Sequence, residues 1–178
     1  MKKSFIIFAL SFVSNAFTQT YDYDPFADVS NKSIKFIESL DSADYAKISN
    51  DILIKLNAHR KANGLKSVTS NKDMVSYANL HTKQMINDSV YNHSNLNNGA
   101  YKAENIMLTH LFGAFLSVDD EYMKSIDDIM MNSWKRSKGH NVNMLLPDVT
   151  QVGIAVYSKA TVKNGVYSYI IEATMVLK

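Results

Sequence analysis

The chain has 178 residues, with 19 basic and 17 acidic side chains, five histidines and no cysteine. Without cysteine there is no disulfide, zinc–thiolate centre or thiol nucleophile, so any metal must be held by imidazole, carboxylate or carbonyl groups. The near balance of charge, with no stripe of Lys and Arg, excludes the phosphate-backbone recognition that a nucleic-acid partner requires.

The chain opens on Met1-Lys2-Lys3, runs through the apolar Phe5–Val13 and leaves by the small residues Ser14-Asn15-Ala16. A basic start, a short apolar run and a small-residue exit predict a signal peptide over 1–16, cleaved after Ala16. The run is too short for a permanent membrane span, so the expected location is secreted or periplasmic. Cleavage discards Lys2 and Lys3 and leaves seventeen charges of each sign. Residues 17–43 read as an extension, first Tyr21-Asp22-Tyr23-Asp24-Pro25 and then a short helix at 33–40 on Ile34, Ile37 and Leu40. The remaining 44–178 are enough for one full-sized core.

Over 44–62, Ile48, Ile52 and Leu56 recur every fourth residue with Leu53 beside them, which predicts an amphipathic helix ending at Asn63-Gly64. A second helix over 71–88 places Met74, Tyr77, Ala78 and Met85 on one side. The Asn-rich stretch 92–103 reads as a loop, and a strand beginning near Lys102 carries Glu104 and Ile106. The apolar stretch 107–116 shows no decisive period. Ser117 and Asp120 have capping-box spacing ahead of a helix to about 136, with Met123, Ile126, Ile129, Met130 and Trp134 on its apolar face. The last third turns to β-branched and aromatic residues over 151–157 and 167–176, and Asn164-Gly165 between them is a hairpin dipeptide. Helices followed by a terminal hairpin define an α+β domain built in layers.

Three polar residues stand out from this pattern: His93 in the Asn-rich loop, Glu104 at the strand edge, and His140, placed just past the end of the third helix. Brought together they would put two imidazoles and a carboxylate in one cleft, a set suited to metal binding or proton transfer. Glu104 has two functional roles open to it, metal ligand or acceptor for the second ring N–H of a histidine; the plainer alternative is a buried carboxylate holding loop N–H groups. Asn105 suits a structural amide tying adjacent loops. Two histidines and one glutamate can hold Zn²⁺ or another divalent ion with an open fourth position, or form a weak exchangeable site without chemistry. Ser94 and Ser137 neighbour the histidines in sequence, but no nucleophile-elbow pattern surrounds either. The apolar face of the second helix makes His81 a core histidine, and His59 reads as a surface residue.

These residues, with Asn57, Arg60, Gly64-Leu65, Glu104-Asn105-Ile106, Trp134, Gly139-His140, Asn143-Met144-Leu145 and Val152-Gly153-Ile154, resemble a bacterial member of the CAP superfamily over roughly 48–176. This is the SCP-like extracellular domain of pathogenesis-related and cysteine-rich secretory proteins. The resemblance implies a three-layer α-β-α sandwich with a central antiparallel sheet, export, and a central cavity lined by His93, Glu104 and His140. A fourth cavity position, glutamate in eukaryotic members, falls on Ser137. Ala103 and Lys138 stand where glycine and proline are usual. Family ligands are metals, sterols, fatty acids or peptides, with proteolysis attributed to few members. The expectation is a secreted, non-enzymatic binding module for a divalent metal, small molecule, lipid or peptide; the alternative is a secreted hydrolase using the same residues.

Overall fold

The computed structural model describes residues 42–113, 126–163 and 166–178. The expected signal peptide, the helix at 33–40, the capping box at Ser117 and Asp120, and the Asn164-Gly165 turn lie outside them. Among the described residues no helix is long and apolar enough to cross a membrane.

Helix α1, Ser42–Ala62, buries Ile48, Ile52 and Leu56, the predicted stripe. Gly64 ends it with φ 75°, and the Leu65 N–H returns to the Arg60 carbonyl at 3.0 Å, closing the last turn. After the two-residue strand β1, Thr69–Ser70, helix α2 spans Lys72–Asp88. Asn71 caps α2, its Oδ1 accepting from the N–H groups of Asp73 and Met74. The connection to the next strand contains one tight turn, Leu96–Gly99, with Leu96, Asn97 and Asn98 at φ 53°, 52° and 55°. Asparagine tolerates this left-handed region better than most side chains.

Strand β2, Ala103–Gly113, includes the first part of the stretch whose period was ambiguous. Helix α3, Ile126–Arg136, buries Ile126, Met130, Met131 and Trp134. It hands over through Ser137 to a helix that the sequence did not suggest, α4, Lys138–Met144. Lys138 is the first helical residue there, a position that also suits proline. Strands β3, Gln151–Lys163, and β4, Val166–Leu177, form the expected hairpin and run longer than predicted.

The sheet order is β1-β3-β4-β2. β2, β4 and β3 pair antiparallel, while β1 adds two residues parallel to β3. Alternation along β4 sorts the layers. Ile171, Ala173, Met175 and Leu177 face a core shared with α1, α3 and α4; Val176, beside Ala155 of β3, packs with Met74 and Ala78 of α2. The result is the three-layer α-β-α sandwich. Gly153 permits the tight contact on the α2 side, because a Cβ there would overlap the Met74 carbonyl group.

Arg60 holds the α1 side together. It is fully buried, and its guanidinium donates to the carbonyls of Lys66, Met144, Leu146 and Val149 at 2.7–3.3 Å. One cation thereby satisfies the backbone of two loops and the end of α4. Asn57 does similar work with its amide, donating to the Val68 carbonyl at 3.0 Å and accepting from the Val68 N–H at 2.8 Å.

Candidate functional site

The outer edge of β2 has no neighbouring strand among the described residues, and the helix pair α3–α4 covers it. Trp134 Nε1 donates to the Ile106 carbonyl at 3.2 Å, and Asn143 Nδ2 donates to the Glu104 carbonyl at 3.2 Å. Asn105 accepts from Asn143 at 3.0 Å and donates to the His140 carbonyl at 3.0 Å. These bonds satisfy edge groups that would otherwise pair with another chain. They also bring His140 beside β2.

His140 lies past the end of α3, as read from the sequence, but in the first turn of α4, which the sequence did not suggest. A helix N-terminus disfavours a cation. Burial, followed by the repulsion of His93, pushes the His140 imidazole down to about 4, so it is neutral near pH 7. Ser137 is the N-cap of α4, its hydroxyl accepting from the His140 N–H at 3.4 Å. Ser137 therefore serves as a helix cap and carries no charge.

His93 Nδ1 donates to Glu104 Oε2 at 2.9 Å, and the Ser94 N–H donates to the same oxygen at 2.9 Å. Burial alone would raise the Glu104 carboxyl. The bonds from His93 and Ser94, with His81 nearby, outweigh it and hold the group below the ordinary glutamate range. Of the roles open to Glu104, the described geometry has it orient His93 and tie down the loop. Its Oε1 has no hydrogen-bond partner among the described residues and lies 3.8 Å from His81 Nε2.

His81 is the buried core histidine expected on α2, and its Nε2 donates to the Asn92 carbonyl at 3.0 Å. It thus anchors the loop one residue before His93, a contribution that helical spacing alone did not reveal. His59 is more engaged than a surface residue, with Nε2 2.7 Å from Asn141 Oδ1, tying α1 to α4. His–Asn pairing across 82 residues leaves no local signal in the sequence.

With Nδ1 committed to Glu104, a neutral His93 ring has its lone pair on Nε2. The His93 and His140 ring centroids are 6.5 Å apart, and the His93 side chain is 58% exposed. A tetrahedral ion bridging two ring nitrogens at 2.0–2.1 Å brings imidazole centroids to roughly 5 Å. The rings must therefore close by about 1.5 Å to share one ion. Among the described residues no group of three His, Cys, Asp or Glu side chains is disposed as a ready-made metal site. The described geometry offers two imidazoles, one of them braced by a carboxylate.

The layered fold agrees with what comparison with known proteins finds. The model of the cysteine-rich secretory protein family, CAP, matches residues 53–171. The chain belongs to that family. No curated protein matches its sequence. Among solved structures it is similar to an outer surface protein of Borrelia burgdorferi at 9% identity and a TM-score of 0.48, covering 74% of this chain and 92% of that one. A cysteine-rich secretory protein of Staphylococcus aureus is similar at 19% identity and a TM-score of 0.42, over 75% of this chain and 39% of its own length. An extracellular protein of Bacillus anthracis containing an SCP domain follows at 14% and 0.45, over 84% and 44%. The chain spans less than half the length of the latter two.

Proposed function

We propose that this CAP domain is exported and acts as a non-enzymatic binding module, taking a divalent metal ion such as Zn²⁺ between His93 and His140, or a small organic ligand in the same cleft. The observation that carries the reading is the Glu104–His93 bond. A carboxylate on Nδ1 fixes the tautomer, orients the ring and makes the remaining nitrogen a better donor, the usual outer-sphere support of a metal-binding histidine. The low value at His140 adds to this, since an imidazole must be neutral to ligate. Bound metal would supply a Lewis-acidic centre at the two nitrogens, and Glu104 would act on it only through His93.

Binding is favoured over hydrolysis because no nucleophile-elbow pattern surrounds either neighbouring serine in the sequence. Ser94 Oγ accepts from the Leu96 N–H at 3.1 Å, and Ser137 Oγ caps α4. Export is supported by the basic, apolar and small-residue pattern of residues 1–16.

Calorimetric titration with Zn²⁺ at pH 7 and at pH 4, on the wild type, His93→Ala and His140→Ala, tests the site. Saturable binding at pH 7 that either substitution abolishes, and that weakens at pH 4, is expected. Unchanged affinity in both variants, or no binding by the wild type, removes the metal. Amino-terminal sequencing of the exported protein should begin near Phe17; a form retaining Met1 refutes export by this route.

A further inference from the structure

The opposite edge of the sheet carries a second candidate site. Gln151 exchanges both backbone bonds with Lys178 of the β4 end, so the odd residues of β3 pair inward. The N–H and C=O groups of the even residues then point outward. At the start of β3 these outward groups are used: the carbonyls of Thr150 and Val152 accept from Thr69 and Asn71 at 3.0 Å, in the parallel pairing with β1. The chain then turns away into α2. Further along β3, Ile154 and Val156 have no strand partner on this side among the described residues. At the far end Tyr45 of α1 joins its hydroxyl to Ser158 Oγ at 2.8 Å.

This edge, unpaired among the described residues, lines a groove of about 770 Å³ between α1 and α2. Ser49 and Leu53 stand on one wall, Asn79 and Lys83 on the other, with Ile154 and Val156 below. The volume falls within the ~300–1,000 Å³ of ordinary ligand sites. Val152 and Ser158 are engaged by β1 and Tyr45, so the edge left open is that of Ile154 to Val156, roughly 10 Å at about 3.3 Å per strand residue. Backbone groups at a strand edge are complemented best by another backbone. Charge narrows the partner. Lys47 and Lys55 of α1 already have carboxylates, in Asp51 and in Asp127 with Asp128. Lys83 lies 5.3 Å from the Tyr157 ring centroid and has no carboxylate partner among the described residues.

We propose that the β3 edge between α1 and α2 is a strand-addition site for an extended peptide, which continues the line of β1 parallel to β3 and sets an acidic side chain against Lys83. The peptide's backbone bonds to Ile154 and Val156 provide affinity, and the helix walls select its side chains. This site lies on the edge remote from His93 and His140 and stands independently of metal binding there.

The test uses the full chain and a blocked peptide of alternating valine and glutamate, five residues long, read by amide hydrogen exchange and by titration. Saturation should slow exchange at Ile154 and Val156 at least tenfold. The fully N-methylated peptide, which cannot form a ladder, should not bind. Lys83→Glu should weaken binding about two- to fivefold, the scale of one exposed ion pair, Lys83→Arg should preserve it, and His93→Ala should leave it unchanged. Equal binding by the N-methylated peptide, binding without protection at Ile154 and Val156, or no binding at millimolar concentration overturns the proposal. Binding seen only after removal of the residues before Ser42 would also overturn it, in favour of the chain's own leading segment as occupant.

Discussion

Glu172 should make this protein lose stability as the solution moves from neutral to alkaline. It sits within β4, paired with Leu108 on one side and Tyr157 on the other. Its side chain is buried, and its Oε2 has no hydrogen-bond partner among the described residues. Burial pushes the carboxyl up to about 8 from the ordinary 4.5. Between those values the folded protein holds a proton that the unfolded chain has released. Stability therefore falls as pH rises through that window, by up to ~1.4 kcal/mol per pH unit for one proton. The accumulated cost at pH 7 is about 3 kcal/mol, an upper bound that local relaxation or water entry reduces.

His140 works in the opposite direction. Its folded value of about 4 lies below the ordinary 6.5, so the unfolded chain binds the extra proton and stability rises with pH across that interval. The two slopes oppose each other from about pH 4.5 to 6.5, where the wild type should be nearly flat, and only the Glu172 fall remains from about 6.5 to 8. Urea unfolding of the wild type and Glu172→Gln at pH 5, 6, 7 and 8 isolates the carboxyl, because any constant effect of the amide cancels in the pH dependence. The variant should lose the alkaline fall and gain about 3 kcal/mol relative to the wild type between pH 5 and pH 8. Parallel curves would refute the assignment of an elevated value to Glu172.

Other substitutions probe the scaffold and the site. Arg60→Met strips four carbonyls of their donor, those of Met144 and Val149 buried, and should cost at least about 3 kcal/mol in urea unfolding, well beyond a surface arginine. Gly153→Ala forces β3 away from the α2 backbone and should lower the thermal midpoint clearly; unchanged melting would mean the sheet and α2 separate at little cost. Glu104→Gln should weaken Zn²⁺ binding about 10–100-fold, the usual effect of losing an outer-sphere carboxylate, and ¹⁵N spectra should show the His93 tautomer preference relaxing. Retained affinity together with an unchanged tautomer would remove Glu104 from the supporting role.

Much of the fold was legible because burial imposes periods. Ile48, Ile52 and Leu56 had to repeat at helical spacing to reach one core, and the β-branched run of β3 and β4 had to alternate across a sheet covered on both faces. Residues 107–113 were ambiguous for a related reason: β2 is an edge strand, and Thr109 and His110 interrupt its apolar run. Helix α4 was invisible because its seven residues are too few to show a period, and its start depends on the Ser137 cap. His93, Glu104 and His140 could be singled out by residue type and by the family pattern. Their roles could not, because a carboxylate can ligate, brace or tie down a loop with the same side chain. The choice was made by bonds between distant residues: His93 to Glu104 across 11 positions, Asn105 to His140 across 35, and His59 to Asn141 across 82. Sequence alone determined which side chains must be buried and which chemistry was available. Only tertiary structure decided which nitrogen faces which oxygen, because hydrogen bonds depend on the direction and distance of particular atoms, whereas hydrophobic burial depends mainly on area.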